Sequence, residues 1–260
     1  MKIRVLGCHG GSLPGYYPVS FVINETLALD AGSLTTFLSL KEQKKLQAIL
    51  ITHVHLDHIR DLPFLADNLF FAQQNTPLQI IAAPGTLSVI QKHFLNGILW
   101  PNPFRTLGGR KAIYKKRPIS RSLQVSQFKI EAIAVNHIPH ARGYVIQDRE
   151  GAVIFSGDTG PTKELWKKAN KIGNLNGIFL ELTFPRRHKK LALKSFHLTT
   201  ESIMTEVSKL KKKVPLFFYH LKPWFYNEIL RELKQLSLDQ GYIVKPNEVI
   251  HLSSMKAGHK

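Results

Sequence analysis

Residues 52–58 read Thr-His-Val-His-Leu-Asp-His, so His53, His55, Asp57 and His58 fall within one short segment. They follow the apolar run 48–51, which has the length and composition of a buried strand. Four potential donors this close together at a strand end are hard to account for as packing residues. Alternation along an extended loop would place His53, His55 and Asp57 on one side, with His58 starting the return into a helix. One turn could then serve two metal ions, the first through His53 and His55 and the second through Asp57 and His58. Imidazole and carboxylate donors suit Zn2+, with Mn2+ or Fe2+ as substitutes.

The elements around this segment alternate between strand and helix patterns. Strand-like runs occupy residues 3–6, 19–23, 26–30, 48–51, 78–82, 128–135, 143–147, 152–155, 177–182 and 214–219, with two more near Tyr242 and Val249. Asn24 and Glu25, between two of these runs, predict a tight hairpin. Helical spacing appears at 62–74, 161–170, 199–210 and 226–236, and Ser33 is placed to cap a helix reaching about Lys45. Residues 95–122 are rich in proline, glycine and basic side chains and are expected to be irregular. Mixed strands and helices throughout point to sheets covered by helices.

A chain of 260 residues with 43% apolar content can bury a sizeable core in one domain, expected to span residues 1–260. Its formal charge is +18, from 36 Lys and Arg against 18 Asp and Glu. That balance favours phosphate-bearing partners such as nucleotides, nucleic acid or anionic lipid, or else reflects solvated lysine faces. Basic clusters stand at 115–117, 186–190 and 211–213. The single cysteine, Cys8, excludes an internal disulfide and is expected to be a small buried residue. The first residues lack the apolar stretch of a signal peptide, and no run reaches the roughly 20 residues of a membrane span. A cytoplasmic protein without membrane partners is expected.

The segment His-Val-His-Leu-Asp-His resembles the H-x-H-x-D-H signature of the metallo-β-lactamase superfamily, and the remaining motifs of that family follow in order. His137 in AVNHIPH matches the third ligand of the first metal, with His140 close by as an alternative. Asp158 in FSGDTG matches the carboxylate that bridges the two metals, and His220 in FFYHLKP the last ligand of the second. The resemblance covers essentially the whole chain and implies an α/β fold, an αββα sandwich of two facing mixed β-sheets flanked by helices. Glu181 in LELTF and His197 in FHLTT are similar to the glutamate and histidine of the phosphodiesterase branch, which includes tRNase Z. There the glutamate orients the histidine, which protonates the leaving oxygen. His9, His93, His188, His251 and His259 match no motif and are assigned to surface or packing.

What this implies is phosphodiester hydrolysis. Two divalent metals lower the pKa of a shared water and supply a nucleophile. Asp57 would hold it in line, and His197 held by Glu181 would act as the acid. The runs HVHLDHIRDLPFLADNLF and FSGDTGPT and the ending YHLKP look most like class II 3′,5′-cyclic-nucleotide phosphodiesterases. Asp61, Pro63 and Phe64 depart from the stricter signature of that class, which leaves its substrate open. The rival is a tRNase Z-like RNA endonuclease, whose tRNA-gripping arm lies between the third histidine and the bridging aspartate. Here only a short hairpin fits between His137 and Asp158. The expected partner is therefore a small phosphodiester, a cyclic nucleotide (cyclic AMP or GMP), ahead of nucleic acid. Lys222 is a candidate phosphate contact, residues 186–190 a candidate basic lip, and a homodimer is compatible with the family.

Overall fold

In the computed structural model, residues 1–106, 109–236, 238 and 241–252 are described, and His259 lies outside them. In chain order the strands are β1 (Lys2–Gly7), β2 (Ser20–Ile23), β3 (Leu27–Leu29), β4 (Ala48–Leu50), β5 (Leu78–Ala82), β6 (Tyr114–Pro118) and β7 (Ser122–Val125). They continue with β8 (Phe128–Ala134), β9 (Arg142–Asp148), β10 (Gly151–Phe155), β11 (Leu175–Glu181), β12 (Leu216–Tyr219), β13 (Gly241–Ile243) and β14 (Val249–His251). Among the described residues these form two sheets, ordered β14-β1-β2-β3-β4-β5-β6 and β13-β12-β11-β10-β9-β8-β7. Both are mixed. The pairs from β14 through β3 are antiparallel and those from β3 through β6 parallel. In the second sheet β7 to β10 are antiparallel and β10 to β13 parallel.

The period-two alternation of strand side chains builds three apolar layers. On β2, Phe21 and Ile23 join the central cluster while Val22 joins the cluster under the first set of helices. On β10, Val153 and Phe155 point to the centre while Ala152 and Ile154 join Leu165, Trp166 and Ile203 on the other side. Helices therefore cover the outer face of each sheet and the inner faces meet. This is the αββα sandwich that the family resemblance implies. At its centre Phe179 lies stacked between Phe155 and Phe217, with ring centroids 4.4 and 4.7 Å apart.

Several local expectations hold with a visible cause. Asn24 and Glu25 both have positive φ, 44° and 63°, as a two-residue turn matched to strand twist requires. Thr199 caps the helix Thr200–Val207 through a reciprocal bond pair with Ser202. Others need correction. The helix expected from Ser33 to about Lys45 is two short ones, Leu34–Phe37 and Leu40–Gln43. Ser39 interrupts it by forming a capping box with Glu42, while the Ser33 hydroxyl bonds the Pro18 carbonyl instead of capping. The helix expected at 161–170 starts only at Glu164. Residues 95–122 are not wholly irregular, because β6 within them pairs in parallel with β5. Helices at Pro84–Val89 and Lys189–Ser195 were not anticipated.

The basic clusters are largely accounted for by the fold. Lys115, Lys116 and Arg117 lie on β6, at the end of its sheet, where charge discourages edge pairing with another chain. In the 186–190 run, Arg186 pairs with Glu232, Arg187 with Glu228 and Lys189 with Glu201. Among the described residues no helix is long and apolar enough to cross a membrane.

Because Phe179 is fully buried between two rings, Phe179→Ala should cost about 3–5 kcal/mol of stability in denaturant unfolding. A loss below about 1 kcal/mol would show that the stacked rings are not what joins the sheets.

Candidate metal centre

Both sheets deliver polar residues to one end of the sandwich, just beyond the carboxyl ends of their strands. From the first sheet come Asp30, after β3, and residues 52–58, after β4. From the second come His137 after β8, Asp158 after β10, Glu181 at the end of β11 and His220 after β12. Strand ends are where backbone pairing stops, so side chains there can converge on a ligand.

The segment after β4 is not extended as far as the spacing suggested. His55 is the N-cap of the helix Leu56–Ile59, so Asp57 and His58 stand on a helical turn. The donors fall into three groups. His53, His55, His137 and Asp158 each offer an atom such that all four atoms lie within 4.8 Å of one another. Asp57, His58 and His220 form a second group by the same measure, and Asp158, His197 and His220 a third. His140 joins none of them; it is exposed and packs against Gly85, where a Cβ would come within 2.2 Å of its ring.

The distances match a cation's requirements. Asp158 Oδ2 is 3.2 Å from His220 Nε2, 3.5 Å from both His53 Nε2 and His58 Nε2, and 3.9 Å from His137 Nε2. Asp57 Oδ2 is 3.3 Å from His220 Nε2, and His55 Nδ1 is 3.3 Å from His137 Nε2. Donors about 2.0–2.1 Å from one tetrahedral ion lie about 3.3 Å from each other. His53 Nε2, His58 Nε2 and Asp158 Oδ1 are buried without any hydrogen-bond partner. Orphaned polar atoms converging in this way carry a desolvation cost that a divalent ion would relieve. The residues present fit such ions.

The protonation states agree. Burial, then His58, holds His53 well below its usual range, and burial brings His137 down to about 4. Burial would raise Asp57 and Asp158, but the surrounding imidazoles outweigh it and keep both well below the usual carboxylate range. Those are the neutral and anionic forms that bind metal. His58 differs. Burial disfavours its charge, yet Asp158, Asp30 and Asp57 together push it well upward, so a cation there competes with a proton.

An outer layer fixes four of the rings, those of His53, His58, His137 and His220, through their other nitrogen. His58 Nδ1 is 2.7 Å from Asp30 Oδ2, His53 Nδ1 3.0 Å from Thr52 Oγ1, His137 Nδ1 3.2 Å from the Phe196 carbonyl and His220 Nδ1 2.9 Å from Thr183 Oγ1. Such partners set tautomer and orientation. Asp30 is itself held by the Thr52 backbone N–H at 2.8 Å. The Thr183 hydroxyl donates to Glu181 Oε2 at 2.8 Å, and His197 Nδ1 donates to Glu181 Oε1 at 2.8 Å. Glu181, fully buried, thus ties His220 and His197 together. Asp30 and His220 both take left-handed backbone conformations, φ 56° and 69°. Each costs on the order of 1–3 kcal/mol and persists because its surroundings enforce it.

Lys222 Nζ bonds the Gly10 carbonyl, fastening the glycine loop to the end of β12. Gly10 has to be glycine, since a Cβ would sit 2.7 Å from the His220 ring. Of the unassigned histidines, His9 is buried between Tyr16 and the Tyr17 backbone, with its pKa pushed by burial down to about 4. His188 packs on Phe225, and His93 and His251 are exposed. Cys8 is buried, as expected. Asp30 and Thr183 escaped the sequence reading. Their only signals are an acid closing the apolar run LAL and a threonine two positions beyond Glu181.

A model of the beta-lactamase superfamily domain matches residues 29–220, which includes every donor described above. The chain belongs to the metallo-β-lactamase superfamily. It is 29% identical over 113 residues to 3′,5′-cyclic-nucleotide phosphodiesterase 1 of Saccharomyces cerevisiae, a match spanning 35% of this chain and 31% of that enzyme. With ribonuclease J of Mycoplasma genitalium it shares 30% identity across 54% of this chain and 22% of the relative. The chain thus spans less than a third of either relative's length in sequence. With ribonuclease Z of Latilactobacillus sakei it shares 22% identity, over 83% of each chain. The same superfamily fold appears in unliganded yeast PDE1, with TM-score 0.80, 19% identity and coverage of 96% and 99% of the two chains. Human tRNase Z, short form, follows with TM-score 0.71, 17% identity and coverage of 97% and 99%. Its His and Asp clusters are suited to holding divalent metal ions.

Asp30→Asn keeps the shape of the side chain but removes the carboxylate that orients His58, and should weaken metal binding about 10- to 100-fold. A metal titration against a chromophoric chelator measures this; unchanged affinity would remove Asp30 from the site. Asp158→Ala should abolish bound metal altogether, and a full metal content by elemental analysis would refute its shared role.

Proposed function

We propose that the protein is a phosphodiesterase with two divalent metal ions, Zn2+ in the first instance, that opens 3′,5′-cyclic nucleotides to 5′-nucleotides. His53, His55 and His137 would hold one ion, Asp57, His58 and His220 the other, and Asp158 both. Bound there, the ions supply a hydroxide nucleophile near neutral pH and take up charge from the phosphate oxygens.

The observation that carries the reading is the pair Glu181 and His197. The His197 ring stacks on His220 at a centroid distance of 5.3 Å, so it borders the donor cluster. Its Nδ1 proton is committed to Glu181 at 2.8 Å, which leaves Nε2 as the nitrogen available to a substrate. Burial disfavours the imidazolium, but Glu181 and Asp158 together outweigh it and raise the pKa of His197 above its usual value. A departing alkoxide needs a proton, and a carboxylate-held imidazole is suited to give it. Thioester cleavage releases a thiolate, a much better leaving group, and would make less use of such an acid. The Lys222 charge opposes that of His197, as the last of these influences on its pKa.

A cyclic nucleotide is favoured over RNA by the path of the chain between His137 and Asp158. That stretch contains the antiparallel hairpin of β9 and β10 and no inserted arm. The sequence similarity to a yeast cyclic-nucleotide phosphodiesterase supports the same substrate class. The ribonuclease reading retains support from the ribonuclease Z and ribonuclease J relatives and from the +18 charge. The pairing of the basic clusters with acids and edges weakens the charge argument.

Zn2+- or Mn2+-loaded protein should convert cyclic AMP or cyclic GMP to the 5′-monophosphate and trim precursor tRNA poorly; efficient 3′ trimming with inert cyclic nucleotides would reverse the ranking. In His197→Ala, metal content should be unchanged while cyclic-nucleotide turnover falls about 10²- to 10⁴-fold. A p-nitrophenyl diester, whose leaving group needs no proton, should be far less affected. Equal losses on both substrates would rule out the acid role.

A further inference from the structure

Phe196 immediately precedes His197 and terminates the helix Lys189–Ser195 in a left-handed conformation, φ 55° and ψ 54°. Glycine, or failing that asparagine, normally fills such a position, because a Cβ is strained there. Phenylalanine is a poor choice for the fold unless burial offsets the strain, and here the side chain remains 43% exposed. Its ring stacks on no other aromatic ring among the described residues. The backbone, by contrast, is tightly placed. The Phe196 carbonyl accepts from His137 Nδ1 at 3.2 Å, and a Cβ on Gly160 would touch Phe196 at 3.4 Å. The residue therefore borders the loop of Asp158 and lies between two site histidines, with an aromatic ring that serves neither core nor cap.

It is not alone on the rim. Leu56, between His55 and Asp57, is 64% exposed, and Trp224, two residues after Lys222, is 66% exposed. A polar floor of imidazoles and carboxylates edged by apolar side chains suits a ligand with a charged phosphate at one end and a planar apolar body at the other. Of the three, Phe196 alone carries positive φ, so it alone is maintained against its local backbone preference.

We propose that Phe196 is a specificity-determining residue, an aromatic platform on which the substrate's nucleobase stacks beside the leaving-group side of the site. The proposal deepens the phosphodiesterase reading and rests on it for the choice of a nucleotide. Its test uses binding, which does not depend on turnover. Zinc-loaded protein is titrated calorimetrically with adenosine 5′-monophosphate and with ribose 5-phosphate, which share the phosphate and sugar but differ in the base. Wild type should prefer the nucleotide by about 5- to 150-fold, the range of one base stacked on one aromatic side chain. Phe196→Leu, which keeps bulk and backbone strain, should lose that preference, and Phe196→Tyr should keep it. Phe196→Gly should lose it too, with unchanged zinc content and a melting temperature at or above that of wild type.

A wild-type protein without base preference, or a preference intact in Phe196→Leu and Phe196→Gly, would overturn the proposal. A melting temperature lowered by about 5 °C or more in Phe196→Gly would also overturn it, because the ring would then be serving the fold. Base preference lost with the ring in a protein that hydrolyses no phosphodiester would uphold the platform and reject the phosphodiesterase reading. Diester hydrolysis with no base preference would do the reverse.

Discussion

Four imidazole nitrogens, from His53, His58, His137 and His220, converge within 3.2–3.9 Å of a single buried oxygen, Asp158 Oδ2. A carboxylate taken out of water without compensation is costly, and so are histidine nitrogens left without a partner. Asp158 and the rings reduce one another's penalty, and His53 Nε2, His58 Nε2 and Asp158 Oδ1 are still left without hydrogen-bond partners. Much of the architecture can be understood as what is needed to hold this arrangement. Strands must end together, the residues that follow them must be polar, and no bulky group can intervene, which is why Gly10 lies against the His220 ring.

Holding the arrangement also needs rigidity one layer out. Each of those four rings is anchored at the nitrogen facing away from the cluster, by Asp30, Thr52, Thr183 or a backbone carbonyl. Left-handed backbone at Asp30 and His220 is tolerated because several hydrogen bonds fix each residue at once. Part of the local conformational cost is thus carried at the site, while the stacked phenylalanines of the centre have no positive φ.

The donor residues were legible in the sequence because polar side chains there interrupt apolar strand patterns at defined spacings. His53, His55, Asp57 and His58 form a motif on their own, and His137, Asp158 and His220 each follow a recognisable strand. Asp30 and Thr183 were not legible, since one aspartate or threonine at a strand end has no spacing to mark it and only tertiary contact reveals its partner. The edge strand β6 was missed for a physical reason. With sequence YKKRP it has little apolar content, because an edge position needs charge more than burial. The split near Ser39 could have been read from Ser-Leu-Lys-Glu, a capping-box pattern inside a helix-compatible stretch.

Each of the two main donor groups draws on both sheets. His53 and His55 reach from beyond β4 to meet His137 and Asp158, and Asp57 and His58 meet His220 across the same gap. Ions held there would act as rivets, joining the open end of the sandwich much as a cross-link joins distant parts of a chain. Catalytic loading and mechanical integrity are then one equilibrium. Free metal concentration would then set how firmly the two halves are fastened. Chelation would act as a structural stress, felt first where the sheets part.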